Sequence, residues 1–321
     1  MNNNKKIIEV LELKRKFKNL TAVDGISLDV ARGEIFGFLG PNGAGKTTTI
    51  QMLCTLLRPT RGTARLDGND IIKNKDRVRK SIGLVFQDPS VDVRLTAWEN
   101  LEFHRLIYDV PKTYAKKRIN EVLEMVGLSD RVKDLVETYS GGMRRRLEIA
   151  RGLIHHPKIL FLDEPTIGLD PQTRNHIWNY IHNLKKSEEI TIFMTTHYMD
   201  EAENCDRIAI IDTGKIIALD TPNNLKKKIG GDIISITTQN NAASKLILER
   251  EFGFEVLEEN STLIFEVKDG DRFLPKLFKN TSLGISSVTV RRPTLDDVFL
   301  TLTGRTIRVE GPSARQKFRM H

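Results

Sequence analysis

Cysteine is nearly absent from this chain. Cys54 and Cys205 are the only two, too few for a disulfide framework, and they form no metal-binding pattern, so both read as packing residues. Long apolar runs are missing as well. Stretches such as Ile208-Ala209-Ile210-Ile211 fall far short of the ~18 consecutive apolar residues that cross a bilayer. The opening Met1-Asn2-Asn3-Asn4-Lys5-Lys6 has no apolar core of the signal-peptide kind. These absences lead to the expectation of a soluble, cytoplasmic protein. Charge is not concentrated either. A net +8 is spread through the sequence; it suits nucleic acid, an anionic membrane face or a polyphosphate ligand and selects none of them. What is present is enough for folding: 39% of the residues are hydrophobic, and 321 residues are comfortable for two domains.

The most informative stretch is Gly40-Pro41-Asn42-Gly43-Ala44-Gly45-Lys46-Thr47-Thr48. It matches the phosphate-loop pattern G-x-x-x-x-G-K-[ST] at every fixed position. Ile35 to Leu39 reads as a buried strand leading in, and Ile50, Leu53 and Leu57 read as a helix face leading out. In that setting the backbone N–H groups and the helix N-terminus bind phosphate oxygens. Lys46 adds a charge for the β- and γ-phosphates, and the Thr47 hydroxyl suits Mg²⁺. A glycine-rich turn with an incidental lysine lacks this context, and a dinucleotide-binding loop needs glycine where Thr48 stands.

Other chemistry-bearing residues stand at the ends of apolar strands. Ile159-Leu160-Phe161-Leu162-Asp163-Glu164 reads as a buried strand ending in two acids, where α/β sheets bind ligands. Asp163 suits a second Mg²⁺ contact, and Glu164 suits a base that polarises an attacking water. Thr191 to Thr196 reads as a strand with His197 at its end, able to donate a hydrogen bond to a γ-phosphate. Ile82 to Phe86 reads as a strand followed by Gln87, which can hold a Mg²⁺-bound water; taken alone, Gln87 is an ordinary polar loop residue. Phe17, among Lys14, Arg15, Lys16 and Lys18, can stack on a purine, although by itself it reads rather as an ordinary core or hairpin aromatic.

Tyr139-Ser140-Gly141-Gly142-Met143 opens a helix with Ser140 as N-cap, a second anion site by the same dipole logic. Arg144-Arg145-Arg146 reads as a solvated face of that helix, and His155-His156-Pro157 as its end. Thr96 to Leu128 is a helical insertion that begins with the capping box Thr96-x-x-Glu99. Gly168-Leu169-Asp170-Pro171 is a turn, and Arg207 to Leu219 a hairpin.

Together these pieces resemble the ATP-binding subunit of an ABC transporter. Six motifs stand in the family's order across about 160 residues: the phosphate loop, the Q-loop Gln87, the signature Tyr139 to Met143, the Walker B strand Ile159 to Asp163 with Glu164 after it, the D-loop Gly168-Leu169-Asp170, and the switch His197. The signature departs from the commonest Leu-Ser-Gly-Gly-Gln at both ends and keeps Ser140-Gly141-Gly142. Pro89-Ser90-Val91-Asp92, Arg94-Leu95-Thr96, Gly142 to Leu147 and Arg292-Pro293-Thr294-Leu295-Asp296-Asp297-Val298-Phe299 extend the likeness to the daunorubicin-resistance (DrrA-like) ATP-binding family.

The resemblance implies an α/β fold: a P-loop NTPase ABC ATPase domain, with a RecA-like core, an antiparallel β subdomain and a helical subdomain, followed by a small α+β C-terminal domain. It implies ATP and Mg²⁺ as ligands, with Thr47, Gln87 and Asp163 on the metal and Phe17 on the adenine. It also implies a head-to-tail homodimer in which Ser140, Gly141, Gly142 and Met143 meet the opposite subunit's ATP. The subunit would lie peripherally at the inner face of the membrane, and a separate integral-membrane permease would export a drug- or antibiotic-like compound; no nucleic acid is expected. A non-transport ABC ATPase acting on ribosomes or nucleic acid, or an ATP-sensing module without turnover, are the alternatives.

Composition places a boundary near Thr221-Pro222, Lys226-Lys227-Lys228 and Gly230-Gly231, giving domains over 1–225 and 226–304 and a basic, disordered tail over 305–321. The second domain, about 80 residues with three strand patterns and a Thr294-x-x-Asp297 helix cap, is close to the size at which one core becomes marginal. It shows no catalytic cluster, and a regulatory or dimer-bracing role is expected of it.

Overall fold

Alternating apolar positions in the first residues and uninterrupted apolar runs further on call for two different sheets, and both are found. The computed structural model describes residues 5–259, 261–279 and 283–304, so the expected tail over 305–321 lies outside the described residues. It divides into two compact units, parted between Asp220 and Thr221.

In the first unit, β1 (Lys6–Phe17) and β2 (Leu20–Ala31) form a long antiparallel hairpin that alternates buried with exposed residues. Both strands run further than the apolar pattern alone marks, because Lys16-Phe17 and Leu20-Thr21 are held by pairing rather than burial. β3 (Ile35–Leu39) is buried throughout and feeds the phosphate loop and α1 (Lys46–Leu53). β4 (Arg61–Leu66) returns to pair with β1, and β5 (Asn69–Asp70) completes a four-stranded sheet in the order β2-β1-β4-β5.

The chain then passes through α2 (Lys75–Ser81) into β6 (Ile82–Val85) and a helical block of α3 (Ala97–Ile107), α4 (Lys112–Met125) and α5 (Gly141–Leu153). The capping box at Thr96 and Glu99 starts α3 as expected. β7 (Ile159–Asp163), α6 (Pro171–Glu188), β8 (Thr191–Thr196), α7 (Met199–Ala202) and the hairpin of β9 (Arg207–Asp212) with β10 (Lys215–Asp220) follow.

The second sheet has the order β10-β9-β3-β8-β7-β6, parallel except for β10 at its edge. Its middle is packed by rings: Phe193 lies 5.4 Å from Phe36, 5.6 Å from Phe38 and 5.4 Å from Phe161, centroid to centroid. Burying each such ring contributes roughly 1.5–3 kcal/mol. The parallel register pairs Leu39 with Thr196 and Asp163 with Thr195. The phosphate loop, Glu164 and His197 therefore leave the sheet at one edge, beyond the carboxyl ends of its strands. Cys54 and Cys205 are both buried and unbridged.

The second unit opens on α8 (Pro222–Ile229). Thr221 caps it by accepting from Asn224 N, and a proline in the first turn pre-sets the helical φ. The run Lys226-Lys227-Lys228 thus belongs to a helix of this unit, anchored by buried Leu225. β11 (Asp232–Thr238), α9 (Asn241–Glu251), β12 (Leu257–Glu259), β13 (Thr262–Val267), α10 (Gly270–Lys279), β14 (Ile285–Arg291) and α11 (Leu295–Thr303) follow. The strands form an antiparallel sheet in the order β12-β13-β11-β14. Ile234, Ile236, Leu263, Phe265, Phe273 and Leu277 make a core separate from that of the first unit. α11 starts with the expected capping box of Thr294 and Asp297 and packs against α8.

Candidate phosphate-binding and catalytic site

Gly45 adopts φ 107°, a left-handed conformation that opens the turn into α1. A side chain there would also meet the Ala22 carbonyl at 2.5 Å. The loop delivers Lys46 to the carboxyl ends of β3 and β7. Lys46 is buried, and its Nζ donates to Gly40 O at 2.8 Å and Pro41 O at 3.1 Å while lying 3.1 Å from Glu164 Oε1. Thr47 is exposed, with Oγ1 3.4 Å from Asp163 Oδ1. Asn42 and Gly43 are exposed and Ala44 is buried, so the loop is anchored at its back and open at its tip.

Asp163 and Glu164 are both buried but sit in different surroundings. Asp163 Oδ1 accepts from Thr195 Oγ1 at 2.5 Å. Burial raises its carboxyl above the ordinary value, and the hydroxyls of Thr195 and Thr47 offset only part of that. Burial raises Glu164 too, but contact with His197 and the charge of Lys46 outweigh it and hold this carboxyl below its ordinary value. His197 Nδ1 stands 3.3 Å from Glu164 Oε2, a short contact without hydrogen-bond alignment. Glu164 has φ 45°, a strained conformation for a residue with a Cβ. Its N–H donates to Thr195 Oγ1 at 3.0 Å.

Thr47 and Asp163 offer hydroxyl and carboxylate oxygens to one point. That donor set fits Mg²⁺, a hard cation bound by one or two protein oxygens plus substrate phosphates. Among the described residues no cluster of three His, Cys, Asp or Glu forms an all-protein cage. Gln87 lies exposed in the loop after β6 and joins none of these hydrogen bonds.

Ser140 accepts from Met143 N at 3.3 Å and caps α5, leaving Ser140 and Gly141 exposed and Met143 half-buried. Gly142 is buried because α6 passes close: a Cβ there would meet Thr173 Cγ2 at 2.4 Å. Asp170 caps α6, accepting from Thr173 N at 3.0 Å. Phe17 is 39% exposed at the end of β1, with the Arg15 guanidinium 4.4 Å from its ring centre. One face of the ring is thereby covered.

The structure brings Lys46, Thr47, Asp163, Glu164 and His197 into mutual contact. It places Phe17, Gln87, Ser140 and Asp170 on separate segments. The arginine run is corrected: Arg144-Arg145-Arg146 is not a solvated face. Arg145 is buried, Arg144 donates to Val136 O and Glu137 O, and Arg146 to Val126 O, Gly127 O and Tyr180 Oη. The missed signal is spacing: Arg145, Glu148, Ile149 and Gly152 fall at i, i+3, i+4 and i+7, on one buried side of the helix. Thr195 reads only as strand in the sequence; its register opposite Asp163 lets it serve both acids.

Residues 23–167 match the family described as ABC transporter, and residues 221–303 match the ATP-binding protein DrrA1-3-like, C-terminal domain. The chain is 41% identical over 306 residues to the daunorubicin/doxorubicin resistance ATP-binding protein DrrA of Streptomyces peucetius, covering 92% of each chain. Among solved structures it is similar to cbiO1 from Clostridium perfringens, part of the ABC transporter complex cbiONQ. There the TM-score is 0.65 at 28% identity, over 76% of this chain and 95% of that one. It is also similar to the dimeric post-hydrolysis state of the ATP-binding cassette MJ0796 bound to ADP and Pi, with a TM-score of 0.60 at 26% identity, over 67% and 98%.

Proposed function

We propose a role from one premise: this chain belongs to the ABC transporter ATP-binding family and carries its DrrA1-3-like C-terminal domain. It is an ATPase subunit whose hydrolysis of ATP energises export of a drug- or antibiotic-like compound. The compound crosses through a separate membrane subunit, for among the described residues no helix is long and apolar enough to span a bilayer. The observation that carries the reading is the meeting of Lys46, Asp163, Glu164 and His197 beside the phosphate loop.

Residues Gly40 to Thr48 cradle the β- and γ-phosphates with backbone N–H groups, and Phe17 stacks on the adenine through the face that Arg15 leaves free. Thr47 and Asp163, with Gln87 through a water, would hold Mg²⁺, which supplies charge neutralisation on the phosphates when bound. A γ-phosphate competes for the Lys46 ammonium. As Lys46 turns from Glu164 toward that phosphate, the Glu164 carboxylate regains basicity. Glu164 then takes a proton from water as the water oxygen attacks the γ-phosphorus and the bond to the β-phosphate oxygen breaks. His197 donates to the γ-phosphate and keeps the Glu164 carboxylate in place. The exposed end of α5, with Ser140, Gly141, Gly142 and Met143, meets the γ-phosphate held by a second copy, so ATP joins two subunits and hydrolysis releases them. Asp170 shapes that same face.

The second unit, which begins at Thr221 rather than at the 226 expected from composition, braces the dimer in this reading, and a basic tail follows it. The subunit works at the inner face of the membrane, bound to its permease. The test is a phosphate-release assay on the purified chain, followed by capture of the Glu164→Gln form with ATP from detergent-solubilised membranes. Phosphate release and a stoichiometric multi-span membrane protein are expected. Ribosomes or nucleic acid captured in its place would overturn the transport role.

A further inference from the structure

Arg145 lies on α5, in the turn after Ser140, and is 7% exposed. A guanidinium is costly to bury unless all its donors are met. Here all five N–H groups have an acceptor. Nε donates to Pro165 O at 2.7 Å, Nη1 to Phe86 O at 2.5 Å and to Glu148 Oε2 at 2.9 Å. Nη2 reaches Asp163 O at 3.0 Å and Glu164 O at 3.3 Å. Three acceptors are therefore consecutive carbonyls around Glu164, and a fourth immediately precedes Gln87.

The same helix grips the rest of the Gln87 loop. Glu148 Oε1 accepts from Ser90 N at 2.6 Å, and Arg151 donates to Ser90 O at 2.7 Å and Ser90 Oγ at 2.5 Å. A residue with a Cβ holds the φ of Glu164 only where its surroundings over-determine it. Arg145 supplies that constraint from the carbonyl side, and Thr195 from the amide side.

We propose that Arg145 is a positioning residue: it ties the helix that begins at Ser140 to the backbone of Glu164 and to the Gln87 loop of the same subunit. The inference rests on the ATPase function proposed above, in which Ser140 meets the nucleotide of the partner copy. α5 moves as a rigid element when Ser140 engages that nucleotide. Arg145 carries the shift to Glu164, so completion of one site sets the catalytic carboxylate of the other. The two sites are then energetically coupled, and the coupling is reciprocal.

Arg145→Lys keeps the charge and loses the planar fork that spans the carbonyls. In the full-length purified chain, turnover is expected to depend sigmoidally on ATP, with a Hill coefficient of about 1.5–2. In Arg145→Lys, the affinity of a fluorescent ATP analogue at low protein concentration stays within about twofold, kcat falls roughly 10–100-fold and the Hill coefficient drops to about 1. Wild-type kcat and sigmoidicity in the variant would overturn the proposal. So would parallel losses of affinity, thermal stability and kcat with sigmoidicity kept, the mark of a merely structural residue. Should Arg145→Lys not fold, isosteric Glu148→Gln carries the same test, and an unchanged Hill coefficient again overturns it. A wild-type chain that releases no phosphate would instead sink the ATPase reading, and this proposal with it.

Discussion

Lys46 and Glu164 form a buried ion pair, Nζ to Oε1 at 3.1 Å, although they are brought in by different strands of the parallel sheet. The second Glu164 oxygen faces His197. The charge of Lys46 and the contact with His197 together hold the Glu164 carboxyl below its ordinary value.

In the proposed mechanism Glu164→Gln removes the base and keeps the shape. Nucleotide affinity should stay within a few-fold while hydrolysis slows by on the order of 10²–10⁴. Equilibrium nucleotide binding and phosphate release, measured on the same preparation, check this. Near-normal turnover would show that Glu164 is not the base.

Lys46→Ala should weaken ATP binding by about tenfold or more, since a buried charge-assisted contact to phosphate is lost. It also leaves Glu164 buried without its cation, so the carboxyl pKa should rise toward its ordinary value of 4.5. Titration of nucleotide binding by calorimetry tests the first effect; unchanged affinity would contradict the phosphate-loop assignment.

Phe17→Ala should raise the Kd for ATP about tenfold, because a base–aromatic stack contributes roughly 1–3 kcal/mol. Phe17→Trp should restore affinity. If Phe17→Ala loses the same factor for inorganic triphosphate as for ATP, the ring does not contact the adenine.

His155 and His104 should make the fold acid-sensitive. Burial pulls both down from 6.5 to about 4, and His155 also stacks flat on Tyr108 at 3.8 Å. Below pH 6.5 the unfolded chain takes up protons that the folded chain refuses until about pH 4. Their contribution is therefore complete above pH 6.5 and is lost as pH falls toward 4. His155→Phe keeps the stack and should remove on the order of 2 kcal/mol of that loss. Urea unfolding between these two pH values measures it, and an unchanged slope would be the contrary result.

Gly142→Ala should destabilise the chain by about 1–3 kcal/mol through overpacking. Its Cβ would meet the Thr173 methyl at 2.4 Å, with nothing else nearer than 3.7 Å. Thr173→Ser removes that methyl and keeps the hydroxyl that bonds Asp170. The double variant should recover most of the stability in thermal unfolding; additive losses would mean the clash lies elsewhere.

The phosphate-loop pattern, the acids ending β7, His197 ending β8, the Ser140 cap and the two capping boxes are legible in residue order alone. Each depends on residues adjacent in the chain or on a local period, so local rules suffice to read it. That Lys46 meets Glu164, that Thr195 serves both Asp163 and Glu164, and that Leu225 of α8 is buried follow from the folded chain. The fold also buries Arg145 under three carbonyls where charge composition called for a solvated face. These are consequences of strand register and helix packing. A residue's charge states only what it can bond to, and which carbonyls come within reach is set by the segments that the fold carries past it.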